Sequence, residues 1–274
     1  MQIIKTIAEL RATLERTRRR ALVPTMGNLH AGHLSLVRIA RERGDLVVTS
    51  LFVNRLQFAP HEDFATYPRT FERDCELLAA GGCDIVFAPA DDEVYPEPQG
   101  YTVHPPPELA GILEGQVRPG FFRGVCTVVL KLFNMVEPDV AVFGKKDYQQ
   151  LLVIRSMVRQ LALPIEMVSA ETVRDTSGLA LSSRNGYLND PQRAQAAQLH
   201  AALSKLVAQA KSGRSDWRQL EREAQEFLTA GGWQPDYVAV RRQSDLREAA
   251  AGEPLVVLAA ARLSGTRLID NLEF

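Results

Sequence analysis

Two histidines three residues apart, His30 and His33, sit in the stretch Pro24-Thr25-Met26-Gly27-Asn28-Leu29-His30-Ala31-Gly32-His33. Imidazoles at this spacing share one helix face if the helix has begun by His30. They can chelate a metal, or they can donate hydrogen bonds to an anion. The remaining histidines, His61, His104 and His200, join them in no ligand pattern, and neither do Cys75, Cys83 and Cys126. Metal chelation therefore finds no third or fourth ligand. The apolar run Ala21-Leu22-Val23 precedes the motif and a helix-periodic run follows it. A strand, a tight turn and a helix start are expected, with unpaired backbone N–H groups aimed at an anionic ligand. A nucleotide phosphate is the natural occupant. Gly27 and Gly32 would clear Cβ atoms from its path, and the imidazoles could stabilise the extra charge of a pentacovalent phosphorus.

The elements that must position this motif can be read from apolar patterning. An amphipathic helix is expected over about 6–19, a strand at 21–24 and a helix from about 33 to 43. Leu46 to Val53 reads as a strand buried on both faces. A polar loop from Asn54 to Pro68 leads to a helix at about 70–80, and Ile85 to Ala88 reads as another buried strand. A proline-rich stretch, 89–119, includes an expected strand at Tyr101–His104. Then come a helix at about 124–136, a strand at 140–143, a helix at 146–161 and a strand at about 165–169. Alternation of this kind predicts a Rossmann-like parallel sheet flanked by helices over residues 1–172, with ligands at the carboxyl ends of the strands. From 173 to 274 the order changes to helices at about 190–211 and 215–230, then strands at 237–241, 255–260 and 267–271. That order predicts a smaller C-terminal α+β domain. Asp190-Pro191 reads as the N-cap and first helical residue of its first helix.

Composition narrows the function classes. The chain has 274 residues, 46% hydrophobic and 24% charged, with 32 basic against 33 acidic residues and a net charge of -1. Such a balance belongs to a soluble globular protein and gives no electrostatic reason for nucleic acid or membrane as a partner. No apolar run reaches a membrane-spanning length, the start lacks a signal-peptide pattern, and three unpatterned cysteines suit a cytoplasmic location.

Three further polar segments follow expected strand ends or the domain junction. Asn54 and Gln57, in Ser50-Leu51-Phe52-Val53-Asn54-Arg55-Leu56-Gln57-Phe58, are amides placed to read hydroxyl or carboxylate oxygens. In Phe143-Gly144-Lys145-Lys146-Asp147-Tyr148-Gln149-Gln150, two lysines at a helix start oppose the macrodipole unless an anion compensates them. Gln150 follows Lys146 by four residues, so both can face one pocket. Leu181-Ser182-Ser183-Arg184-Asn185 offers hydroxyls, N–H groups and a guanidinium fork, the parts of a phosphate clamp.

Taken in order, these blocks resemble the HxGH nucleotidyltransferase superfamily and, within it, the pantothenate synthetase (pantoate–β-alanine ligase) family. The resemblance extends over most of the chain. It implies that Met26, Gly27, Asn28, Leu29, His30, Ala31, Gly32 and His33 border ATP, together with Gly144, Lys145, Lys146, Asp147, Val173, Leu181, Ser182, Ser183 and Arg184. It makes His33, His30 and Lys146 the catalytic set, with His33 a proton donor. Gln57, Gln150 and Asn54 would hold the pantoate and β-alanine substrates. Magnesium would accompany ATP as co-substrate, with no dedicated metal ligand on the protein, and a homodimer through the larger domain is implied. Arg118-Pro119-Gly120-Phe121-Phe122-Arg123-Gly124-Val125 matches a further block, in which Phe121 stands where histidine is common. Arg55, Lys145 and Leu181 replace a more usual proline, glutamate and methionine, and Val128 and Val129 match apolar positions beside pantoate. Two readings from other classes compete: a nucleotidyltransferase with no ligation step, and a non-catalytic nucleotide- or RNA-binding module.

Overall fold

Continuous apolar runs become the strands of a six-stranded sheet in the computed structural model, which describes residues 1–14, 18–60, 62–250 and 252–274. The chain runs β1 (Gln2–Ile4), α1 (Ile7–Thr13), β2 (Arg20–Thr25), α2 (Ala31–Arg43), β3 (Leu46–Leu51), α3 (Phe71–Ala80) and β4 (Ile85–Phe87). Three short helices follow, α4 (Asp91–Val94), α5 (Pro107–Ala110) and α6 (Glu114–Val117). Then come α7 (Phe121–Val136), β5 (Val140–Gly144), α8 (Tyr148–Gln160) and β6 (Glu166–Ala170). The strand order is β1-β4-β3-β2-β5-β6 and every pairing is parallel. The chain leaves β2 toward β3 on one side and later returns to build β5 on the other. The crevice above the carboxyl ends of β2 and β5 is therefore the topological switch point, where open α/β sheets bind ligands. Apolar layers cover both faces, one centred on α7 and α8 and the other on α2 and α3.

The remainder forms α9 (Asp190–Ala196), α10 (Gln198–Lys211) and α11 (Trp217–Ala230), followed by an antiparallel sheet β7 (Gln234–Arg242), β8 (Leu255–Leu263) and β9 (Thr266–Glu273). One face of this sheet packs on α10 and α11. The other carries Ala239, Val256 and Leu258 against Leu113 and Tyr148 of the larger unit. Being covered on both faces explains why β8 is buried almost throughout although its sheet is antiparallel.

Several expected elements differ. The opening helix ends at Thr13 because the chain turns toward β2: the Arg19 N–H donates to Asp45, and the Arg19 carbonyl accepts from Asp45 and Leu46. Residues 15–17 of that expected helix, and His61, lie outside the described residues. Tyr101–His104 is not a strand. Its Val103 N–H donates to the Thr127 hydroxyl and Tyr101 is 93% exposed, so among the described residues the segment has no neighbouring strand. Asn189, not Asp190, caps α9, in a reciprocal box with Gln192 that puts Pro191 in the first turn.

Candidate active site

The turn after β2 is held from inside the protein. Gly27 adopts φ +81° and Asn28 φ +50°, a left-handed bend that the glycine enters without a Cβ penalty. Asp74, buried on α3, accepts the Asn28 N–H at 2.8 Å and the Leu29 N–H at 2.8 Å. His30 is the N-cap of α2: its Nδ1 accepts from the Gly32 N–H at 3.1 Å, and the His30 N–H donates to His33 Nδ1 at 3.3 Å. The i, i+3 spacing is thus a capping box made of two imidazoles. This corrects the expectation of free N–H groups awaiting an anion, since those of residues 28, 29, 30 and 32 are already engaged. The glycines also make room for the turn's own side chains. A Cβ on Gly32 would lie 2.8 Å from the His30 ring, and one on Gly27 would lie 3.0 Å from Asp74.

What the turn offers instead is the far edge of each ring. The rings stand 4.1 Å apart by centroid. Burial, reinforced by Lys146, lowers the pKa of His30 to about 4; burial, then His30 and Lys146, lowers that of His33 to about 3. Both are neutral at pH 7. With each Nδ1 accepting a backbone N–H, the single proton sits on Nε2, so the pair presents two neutral N–H donors.

A cavity of about 550 Å³ opens over these rings. Met26, His30, Gly32 and His33 line it from the β2 turn, and Gly144, Lys146 and Asp147 from the β5 end. Gln150 projects from α8; Val173, Leu181, Ser182, Ser183 and Arg184 come from the segment before α9; Asn54, Gln57, Val128 and Val129 complete the far wall. The structure brings together most of the residues singled out in the sequence. It leaves Gly27, Asn28, Leu29, Ala31 and Lys145 outside the lining. Leu29 is 1% exposed in the core beneath. Asn28 instead joins two of the blocks: its Nδ2 donates to the Ser183 carbonyl at 3.3 Å, and the Ser183 hydroxyl donates to the Asn28 carbonyl at 3.1 Å.

The two lysines part company. They occupy a 3-10 turn, Lys145–Asp147, before α8. Lys145 turns to Glu171 at 2.6 Å and Glu273 at 2.7 Å, so the anions that compensate it are carboxylates of the chain itself. Lys146 faces the cavity and pairs only with Asp147 among the described residues, at 3.9 Å. Asn271 of β9 pins this turn by donating to the carbonyls of Lys145 and Lys146.

Asn54 lines the wall, but its amide is consumed by protein partners; this corrects its expected role as a direct substrate contact. Gln57 beside it rides on a 3-10 turn, Arg55–Gln57, laid against α7 at Gly124. A Cβ at Gly124 would lie 2.1 Å from the Leu56 carbonyl, so this contact requires glycine. Gln150 has no side-chain partner among the described residues and is free to meet a ligand.

Several cavity residues, and the partners of others already named, went unassigned in the sequence. Arg118 donates to Glu62 at 2.6 and 2.8 Å and to the Gln57 carbonyl, and it stacks 3.7 Å above the Phe121 ring. Arg184 donates to Asp63 at 2.9 and 3.1 Å, and against the cost of burial this pairing holds its pKa up. Arg267 grips the buried Glu114, to which the Tyr237 hydroxyl also donates at 3.0 Å. The adjacent acids Glu62 and Asp63 were visible as charge, but their partners lie 56 and 121 residues away. Among the described residues no group of three or more His, Cys, Asp or Glu side chains gathers as a metal site.

A parallel sheet with neutral imidazole donors and a lysine at its switch point, facing a wall of amides, defines an α/β protein with a polar cavity at the crevice where such sheets bind ligands. Comparison with known proteins narrows that class. The family model described as Pantoate-beta-alanine ligase matches residues 2–273. The chain is 61% identical to the pantothenate synthetase of Leptothrix cholodnii, covering 100% of both chains. The crystal structure of the Thermus thermophilus pantothenate synthetase superposes with a TM-score of 0.95 at 46% identity, covering 100% of this chain and 99% of that one. The Francisella tularensis pantoate-beta-alanine ligase, crystallised with beta-gamma ATP and beta-alanine, gives 0.84 at 31% identity, covering 100% and 97%. The chain belongs to the pantoate–β-alanine ligase family and is an enzyme.

Proposed function

We propose that this enzyme condenses (R)-pantoate with β-alanine through a pantoyl-adenylate intermediate, giving pantothenate, AMP and pyrophosphate. The observation that carries this reading is a single cavity in which His30, His33 and Lys146 face Gln57 and Gln150, in a chain of this family. A free carboxylate is a poor acylating agent because its leaving group is oxide. Attack of a pantoate carboxylate oxygen on the α-phosphorus of ATP expels pyrophosphate and converts that oxide into AMP. The amine of β-alanine then attacks the acyl carbon, and AMP leaves with the carboxylate oxygen.

The residues here suit positioning and charge stabilisation, not covalent catalysis. His30 and His33 donate Nε2–H to the phosphate oxygens as neutral imidazoles, a role that replaces proton donation from an imidazolium. Lys146 balances the growing negative charge, while Ser182, Ser183 and Arg184 close over the phosphates. Gln57 and Gln150 orient pantoate. ATP enters as its magnesium complex, with the ion held mainly by phosphates and water. Residues 1–172 form the ATP- and pantoate-binding unit, 173–274 act as its lid, and the enzyme works as a cytoplasmic homodimer.

Pantoate labelled with 18O in its carboxylate tests the adenylate. One labelled oxygen is expected in AMP after turnover; AMP free of label would overturn the intermediate.

A further inference from the structure

Asn54 is 1% exposed, and all its amide atoms are engaged. Oδ1 accepts from the Leu56 N–H at 3.3 Å and from the Tyr95 hydroxyl at 2.7 Å. Nδ2 donates to the Gly124 carbonyl and to Gln57 Oε1, both at 3.1 Å. Two of these partners are backbone groups that cannot exchange roles, since an N–H only donates and a carbonyl only accepts. They fix which way the Asn54 amide points, and the direction propagates. Because Nδ2 is a donor, the Gln57 atom facing it is the oxygen. The Gln57 NH2 group is then turned to the cavity wall, where it meets Met26 Sδ at 3.2 Å.

Tyr95 closes the other end of this relay. It is 4% exposed, packs against Phe52 at 6.0 Å between ring centroids, and faces an amide oxygen that carries no proton, so its hydroxyl donates. Burial pushes its pKa up, which keeps that donor in place at neutral pH. Without the hydroxyl, Oδ1 would lose its shortest partner and keep only the longer bond from the Leu56 N–H, so the amide pair would be held more loosely in the direction that Leu56 and Gly124 set. A turned Gln57 would set a carbonyl oxygen against the substrate's own oxygens.

We propose that Tyr95 is a positioning residue for the acid substrate: through Asn54 it holds Gln57 with its N–H donors, not its carbonyl, toward the cavity. The proposal rests on the reading of Gln57 as a pantoate-binding residue. Three variants separate the two. Gln57→Leu is expected to raise the KM for pantoate at least 10-fold, and an unchanged value would overturn that reading and the proposal with it. Tyr95→Phe is expected to raise the KM for pantoate about 10-fold, which corresponds to about 1.4 kcal/mol, with the KM for ATP within about twofold of the unaltered enzyme. A folded Tyr95→Phe enzyme with an unchanged pantoate KM would overturn the positioning role alone. Gln57→Glu tests the polarity even if Tyr95→Phe fails to fold. At pH 8 it presents a carboxylate to pantoate, and its pantoate KM is expected to exceed that of Gln57→Leu and to fall as the pH is lowered toward 6. Binding as tight as in the unaltered enzyme at pH 8 would mean that the carbonyl side faces the substrate, and the proposal would fail.

Discussion

His30 and His33 do two jobs with different atoms. Nδ1 of each completes the start of α2, and Nε2 of each is left for the cavity. A substitution at His33 therefore removes a cap as well as a donor. His33→Ala is expected to slow adenylation about 100-fold or more, as for loss of a preorganised donor; single-turnover formation of pyrophosphate would measure it. Their charge state makes a separate prediction. In the unfolded chain both imidazoles take up protons near pH 6.5, whereas in the folded protein they resist until about 4 and about 3. Between 6.5 and 4 the unfolded state binds more protons, so stability is complete above this window and declines as pH falls through it. The slope is up to about 1.4 kcal/mol per pH unit for each histidine. Thermal unfolding from pH 7.5 to 4.5 should show that decline, and His33→Asn should make it shallower; equal slopes would contradict the buried neutral state. The sequence revealed these two residues by type and spacing. It concealed the capping role, because a capping box is usually recognised by serine or threonine followed by glutamate. Lys145 and Lys146 were told apart in the sequence only by the family resemblance, which placed both beside ATP and made Lys146 alone catalytic. Glu171 and Glu273 decide between them, and only the fold brings those carboxylates near.

At the level of elements, the site depends on contacts between segments far apart in sequence. Asp74 on α3 holds the β2 turn from 46 residues away. Asp74→Asn replaces one of two acceptor oxygens with a donor that faces a backbone N–H. The expected cost is about 1–3 kcal/mol of stability, with a lower kcat, measured by denaturant unfolding alongside steady-state kinetics. Gly124 has a comparable function on α7, where it lets the Gln57 turn sit against the helix backbone. Gly124→Ala should destabilise by about 1–3 kcal/mol through overpacking and should raise the KM for pantoate more than that for ATP. Periodicity made the buried strands and long helices legible, including β3 and α7, whose apolar residues leave little choice. It misjudged Tyr101–His104, where alternation suggests a strand but the backbone turns to Thr127. It also passed over β1, three residues long and recognisable only by its pairing with β4.

Across the whole molecule, the C-terminal sheet serves the cavity as well as its own core. Asn271 and Glu273 tie down the Lys145–Lys146 turn, and Arg174 grips the buried Asp270 with two bonds just before the Ser182 segment. Arg267 reaches across to Glu114 of the larger unit. Glu114→Ala would leave Arg267 and the Tyr237 hydroxyl short of a buried partner, and a loss of about 3–5 kcal/mol is expected in a thermal or denaturant melt. The change from a parallel sheet to helices followed by an antiparallel sheet was legible from element order, whereas these cross-links were not, since each joins residues more than 90 positions apart. Their joint effect is to hold His30, His33 and Lys146 in one cavity with Gln57 and Gln150, an arrangement that suits the proposed activation of one substrate by the other before the amine arrives. ATP–pyrophosphate exchange tests this most directly. Exchange that requires pantoate and proceeds without β-alanine is the expected result, whereas exchange at the same rate without pantoate, or none until β-alanine is added, would contradict it.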